Sequence, residues 1–533
     1  MRIVSLLNVD DRISLKMSQL FIFFVLLGSS TSNANCPSYQ YLVPVSLPSP
    51  LPNPILSAFA NINTSLSSFL DPISQPGFVC SVFYLGKEVS SWGVGIADKN
   101  SSRLPNPSSD LFRIASNTKL FISLLAEVFT EIGYIESLND PISKYVPSFR
   151  GPINTFNDGG EITFFMLMSH TASLPDSLPG GIDWISNITT SQIFEAISKL
   201  PVTVPLGTLP SYSNLGISLL GHILAEFIAD VSEQGDLDAL LNKYILIPLN
   251  LTPNTGYNLT SYAIDNLIPA YDSNGNRVPL ENLNWNAPCG TMWSTMPNLA
   301  RFHQTIAQLS SGMSIPGFSL SPTRARSWLQ PVSLTPDNSI VMGLPWEMFV
   351  LPSSDGSFIV KTKSGTLNGY STKSGLINEL QLSFAFSFNG NFKDWYAGNS
   401  LLEKVASELV SGFTTVLKSL QPPRSAGPKA LEYIGVYTQD INQANIANIT
   451  LDLNGQLIFD APNALGPIAI LEYIGDTIPD IFRLYQDPTN NTCEHQAEAD
   501  TAWAIPIVFS RDAITGLIKS FEIVNWSGDW SKS

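Results

Sequence analysis

The sequence predicts a mixed α/β domain, a sheet flanked by helices, followed by a small antiparallel β domain of barrel type. Strand-like runs occur at residues 78–94 and 339–389, with helical segments between and after them. A proline-rich stretch, Gln421-Pro-Pro-Arg-Ser-Ala-Gly-Pro428, then interrupts the chain. Beyond it, residues 430–533 hold short strand-like runs separated by turns.

A chain of 533 residues exceeds one compact core, and 44% apolar content is enough to build more than one. The expected division is a leader over 35–54, a first domain over 55–420, a linker over 421–429 and a β domain over 430–533. In the first domain, Phe78–Val94 reads as a glycine-punctuated hairpin and Lys119–Tyr134 as an amphipathic helix. Residues 160–310 mix helices and loops, Ser339–Asn389 are strands, and Glu403–Lys418 are helical again. The β domain shows ANITLDL, GQLIFDA, IFRLYQ, AIPIVFS and SFEIVNW.

Charged residues are only 14% of the chain and the formal net charge is -16. That balance repels phosphate backbones, so no nucleic-acid partner is expected. Arg12 and Lys16 precede the apolar run Leu20–Gly28, and Ser32-Asn33-Ala34 follows it as a small-x-small pattern. The run is shorter than the about 20 residues a membrane span needs. Residues 1–34 therefore read as a secretory signal peptide cleaved after Ala34, with Met17 as an alternative start. The expectation is an extracellular protein without membrane attachment after cleavage. Sequons at Asn63, Asn100, Asn187, Asn250, Asn258, Asn448, Asn490 and Asn525 agree with secretion. Cys36, Cys80, Cys289 and Cys493 are too widely spaced for a zinc site, and disulfides are expected, with every pairing open.

Three short motifs carry chemistry. In Phe112-Arg-Ile-Ala-Ser-Asn-Thr-Lys-Leu120, Ser116 and Lys119 share one helical face at the start of a helix. A serine hydroxyl needs a base to become a nucleophile, and a lysine serves if its pKa is lowered. The helix N-terminus adds positive potential where an oxyanion would form. In Tyr212-Ser213-Asn214 a tyrosine between two cations can be held as phenolate, and the asparagine can donate to a substrate amide oxygen. In Lys363-Ser364-Gly365-Thr366, at the end of a strand, the glycine admits a close backbone approach. A second Lys-Ser-Gly stands at Lys373–Gly375, and the first is preferred because Gly369-Tyr370 follows it at the expected interval.

In this order the motifs resemble those of the serine β-lactamase-related family: class C β-lactamases, penicillin-binding-protein-like D-peptidases, esterases and acyltransferases. ITFFMLMSHTASLP, YILIPLNL, CGTMWSTMPNLARF and GLPWEMF also look like family segments, over roughly residues 55–420. The resemblance implies a β-lactamase/transpeptidase-like fold with Ser116 as acylated nucleophile and Lys119 with Tyr212 as proton-transfer pair. It further implies that Asn214 and Lys363 orient substrate and tune the tyrosine. The backbone N–H groups of Ser116 and Thr366, the latter beside Gly365, would form the oxyanion hole. Tyr212 at the start of the second motif points to the class C type, without deacylation assisted by a glutamate. Lys363, where many esterases carry histidine, adds a positive charge that would suit a substrate carboxylate. Ala172-Ser173 departs from the family's usual Ser-Gly. The C-terminal region looks like the lipocalin-like domain often fused to this family.

The expected activity is hydrolysis of an ester or amide in a small-molecule or peptide-like substrate, without cofactor or metal. The rivals are an acyltransferase using the same acyl-enzyme, a silent binding protein on the same fold, and a β-lactam- or peptidoglycan-processing enzyme. His170, His222, His303 and His495 lack metal spacing, and His170 reads as a structural hydrogen-bonder.

Overall fold

The structure is a computed structural model describing residues 44–156, 159–336, 339–353, 356–392, 395–420, 425–463, 469–474, 480–486, 506–523 and 528–533. The expected signal peptide, Cys36, Cys493 and the sequons at Asn490 and Asn525 lie outside these. The chain divides into two compact units, one of Tyr41–Ser353 with Ser357–Gln421, the other carrying Pro422–Ser533.

The first unit is built on helix α1 (Asn53–Ser67) and the hairpin β1 (Gly77–Tyr84) and β2 (Lys87–Gly95). Helices α2 (Thr118–Glu131), α3 (Asn214–Ile223) and α4 (Met296–Ser310) follow. The chain then returns as β3 (Ser333–Leu334), β4 (Val341–Met342), β5 (Glu347–Ser353), β6 (Gly356–Leu367), β7 (Tyr370–Ile377) and β8 (Leu382–Phe388), and ends in α5 (Trp395–Leu420). These strands form one sheet in the order β2-β1-β8-β7-β6-β5-β4-β3. The N-terminal hairpin thus pairs with the last strand of the unit, Phe78 opposite Phe388 and Tyr84 opposite Leu382.

Strand alternation sends side chains to two separate cores. Phe78, Cys80, Val82, Phe384, Phe386 and Phe388 face α1 and α5. Val79, Phe83, Leu376 and Ala385 face the core that holds α2, α3 and α4. With helices on both faces, β1, β7 and β8 are buried along their whole length rather than at alternate residues. Helix α2 is likewise buried from Thr118 to Thr130, so it is a core helix rather than the amphipathic one its spacing suggested.

Ser173, in the Ala172-Ser173 departure, adopts a left-handed φ of 52°. Glycine takes that conformation at no steric cost, and serine does not. Here Ser173 Oγ accepts the N–H groups of Thr203 (3.1 Å) and Val204 (3.3 Å), which offsets the strain.

The expected disulfide cross-linking does not extend to Cys80 and Cys289, which are buried free thiols. Each is enclosed by its own core, Cys80 on the α1/α5 side of the sheet and Cys289 on the other.

The second unit is a closed antiparallel barrel, β9 (Gly435–Gln439), β10 (Ile446–Leu451), β11 (Leu457–Asp460), β12 (Ala469–Tyr473), β13 (Ile481–Gln486), β14 (Pro506–Arg511), β15 (Ile518–Ile523) and β16 (Trp530–Lys532). Each strand pairs with its sequence neighbour, and β16 closes onto β9. Eight strands leave an interior about wide enough for side chains. Tyr437, Phe459, Phe482, Phe509, Phe521 and Trp530 pack there. Among the described residues, no helix is long and apolar enough to cross a membrane.

Candidate active site

Ser116 sits in a 3₁₀ turn, Ala115–Asn117, that runs directly into α2. Ala115 holds a left-handed φ of 49°, a conformation costing a non-glycine residue about 1–2 kcal/mol. The turn is held by Asn117, whose Nδ2 donates to Ile114 O (3.0 Å) while its Oδ1 accepts from Ser374 Oγ (2.6 Å). One turn into the helix region, Lys119 is fully buried.

Lys119 Nζ lies 3.0 Å from Ser116 Oγ, 2.7 Å from Asn214 Oδ1 and 2.8 Å from the carbonyl oxygen of Cys289. The amide of Asn214 is oriented by its own donation, Nδ2 to Asp176 Oδ1 at 2.8 Å. Asn214 Oδ1 and the Cys289 carbonyl can only accept. A neutral Lys119 amine therefore satisfies both with its two N–H bonds and keeps its lone pair for Ser116. Burial lowers the Lys119 pKa, against smaller opposing effects of Cys289, Glu347 and Asp176.

Tyr212 donates its hydroxyl to Ser116 Oγ at 2.8 Å. The Nζ atoms of Lys119 and Lys363 each stand 5.0 Å from its ring centroid, the two-sided placement the phenolate reading required. Desolvation nevertheless outweighs Lys363 and pushes the tyrosine pKa up to about 12, so Tyr212 is a neutral donor here rather than a phenolate. Glu347 adds a smaller push in the same direction. It forms an ion pair with Lys363 and accepts from the Ser364 N–H at 3.1 Å, which compensates the lysine charge. Lys363 is fully buried in that pair, so its charge is not offered to a substrate carboxylate.

His170 supports the tyrosine loop. Its Nδ1 accepts from the Ser213 N–H at 3.2 Å, and its ring lies 4.6 Å from that of Tyr212. Burial and the two lysines hold its pKa well below the ordinary value, so it is neutral. Among the described residues, no group of His, Cys, Asp and Glu could hold a metal ion.

The first Lys-Ser-Gly, not the second, stands beside the serine. Gly365 packs against Ile114, Ser116 and Asn117, whereas Gly375 packs against Phe384. Thr366 is exposed and lines the same cavity as Ser116 and Tyr212, a space of about 770 Å³. The structure thus brings Ser116, Lys119, Tyr212, Asn214, Lys363, Gly365 and Thr366 into one place.

A family model described as beta-lactamase matches residues 66–406. The chain belongs to the β-lactamase family. "Beta-lactamase-like protein 2" of Dictyostelium discoideum is 28% identical over 374 residues, 69% of this chain and 65% of that protein. The match therefore spans less than two thirds of that relative. "Putative beta-lactamase-like 1" of Homo sapiens is 27% identical over 415 residues, 76% of this chain and 78% of that one. Among solved structures, a class C β-lactamase from Rhodobacter sphaeroides superposes with a TM-score of 0.52 at 20% identity, over 68% of this chain and 99% of that one. A beta-lactamase/D-alanine carboxypeptidase from Pseudomonas syringae gives 0.54 at 19% identity, over 69% and 100%. At these identities the likeness is one of fold.

Within this β-lactamase-family domain, sequence reasoning passed over Glu347, Asp176 and Asn117 as site residues. Glu347 had a signal, a single acid in the apolar run GLPWEMFVL, because an acid is rarely buried unless paired. Asp176 and Asn117 had none, since their partners come from contacts the local sequence does not announce.

Proposed function

We propose that this protein is a serine hydrolase that cleaves an ester or amide through an acyl-enzyme on Ser116. The observation that carries the reading is the hydrogen-bond arrangement of Lys119, two obligate acceptors plus Ser116 Oγ. Neutral Lys119 takes the Ser116 proton as Oγ attacks the carbonyl carbon. Tyr212, 2.8 Å from Oγ, hands a proton to the departing alcohol or amine and is reprotonated from Lys119. Water then attacks the acyl-enzyme, giving up its proton to the same pair, and Ser116 is released. The N–H groups of Ser116 and Thr366 are assigned to the developing oxyanion.

A fluorophosphonate probe tests the reading. An adduct on Ser116, located by mass spectrometry and lost in Ser116→Ala, is expected. A folded protein that takes no label and turns over no ester would overturn it. Product analysis with an added alcohol or amine separates hydrolysis from acyl transfer.

The same proposal places the protein outside the cell as a glycoprotein. Asn100, Asn187, Asn250, Asn258 and Asn448 are exposed in their sequons, as an attached glycan requires. Expression with its own N-terminus in a secretory host should give a product starting at Asn35 whose mass falls on deglycosylation. Retention inside the cell with residues 1–34 intact would contradict this.

A further inference from the structure

We infer that the substrates of this site carry an extended apolar chain, laid against Ile340, Met342, Phe349 and Leu402; the inference rests on the acyl-enzyme reading above. The cavity on Ser116 has the size of a ligand site, about 770 Å³. Its lining is of two kinds. Ser116, Tyr212, Ser364 and Thr366 form a polar strip at the nucleophile; the apolar residues come from 340–349 and from α5, where Glu347, Asn399, Ser400 and Glu403 also reach the lining.

The sheet order gives this apolar wall a direction. β6, which carries Lys363 to Thr366, is followed by β5 with Phe349, and then by β4 with Met342. Two strand spacings amount to about 10 Å, so the wall leads away from the serine rather than ringing it. Ile340 and Phe349 are only half-buried, leaving apolar surface that a bound chain would cover. The strand lysines turn elsewhere, Lys363 to Glu347 and Lys373 to Ser364 Oγ (2.8 Å) and Asn399 Oδ1 (3.0 Å). Neither lysine lines the cavity.

The test uses the full-length protein and two ester series below their micellar concentrations. One runs from p-nitrophenyl acetate to the butyrate, octanoate and decanoate; the other runs from ethyl to decyl acetate. The first reads a chain on the acyl side and the second a chain on the alcohol side. Each methylene moved from water onto such a wall favours binding by up to about fourfold. In at least one series kcat/KM should rise by about tenfold or more between the shortest and the longest chain. Ile340→Glu and Phe349→Asp, at half-buried positions, should each flatten that gradient, with folding checked by circular dichroism. Turnover of short esters with both series flat or falling would overturn the apolar-chain inference and leave the acyl-enzyme reading standing. A gradient that both variants leave unchanged would also overturn it. No turnover of any ester, with Ser116 unlabelled, would sink both.

Discussion

A Cβ built on Gly365 would lie 3.0 Å from the amide nitrogen of Ser116 and 2.3 Å from the carbonyl oxygen of Ile114. The strand end and the nucleophile's turn are therefore in backbone contact, and only glycine admits it. Gly365→Ala must push β6 away from Ser116, at about 1–3 kcal/mol of overpacking. A fall in kcat larger than the loss of melting temperature would explain is the expected result. Wild-type kcat in the alanine variant would contradict this contact.

The lone-pair argument at Lys119 predicts a pH dependence. Burial lowers the pKa of the amine, and the neutral form is the one that accepts the Ser116 proton. kcat/KM should therefore rise with pH and level off below the ordinary lysine value of about 10.4. Lys119→Arg imposes a permanent charge and cannot act as base, so activity should drop by roughly 10²–10⁴. An arginine variant with near-wild-type turnover would remove lysine from the proton path.

Asp176 acts through Asn214, accepting from its side-chain and backbone nitrogens at 2.8 and 3.3 Å. In Asp176→Ala the Asn214 amide is free to turn and present nitrogen instead of oxygen to Lys119. We expect kcat to fall roughly tenfold, the size of one charge-assisted hydrogen bond. Asp176→Asn, which still offers an acceptor oxygen, should recover part of the loss. A change confined to melting temperature would make Asp176 merely structural.

A fourth expectation concerns stability. On α2, Glu127 is buried beside Arg324, whose guanidinium lies 3.3 Å away. Burial, only partly opposed by Arg324, pushes its pKa up to about 7 from 4.5. Between those values the folded chain holds a proton that the unfolded chain has released. The contribution is full below about pH 4.5 and is lost as pH rises through 7. Glu127→Gln should match wild type near pH 4.5 and exceed it above pH 7 by about 2–3 kcal/mol in denaturant unfolding. Equal stability of the two proteins at both pH values would refute the assignment.

The parts of this protein legible in its amino-acid order are those set by short-range geometry. Ser116 and Lys119 share a helical face because of their spacing, and the strands of 78–94 and 339–389 announced themselves by β-branched and aromatic runs. An antiparallel β domain followed from five short runs and turns after the linker, whereas its closure by eight strands is visible only in the structure. What only tertiary structure decided depends on desolvation and on partners brought from distant segments. Tyr212 is a neutral donor because the surrounding fold desolvates it and gives Lys363 the counter-charge of Glu347. Cys80 and Cys289 stay thiols because each is enclosed by a different core. Helix α2 is buried all round because helical segments from 214–223, 237–246, 287–290 and 322–328 close over it, and no hydrophobic period in the sequence marks that enclosure. Linear spacing sets which groups can meet within one element; the field each group feels is set by what folding packs around it.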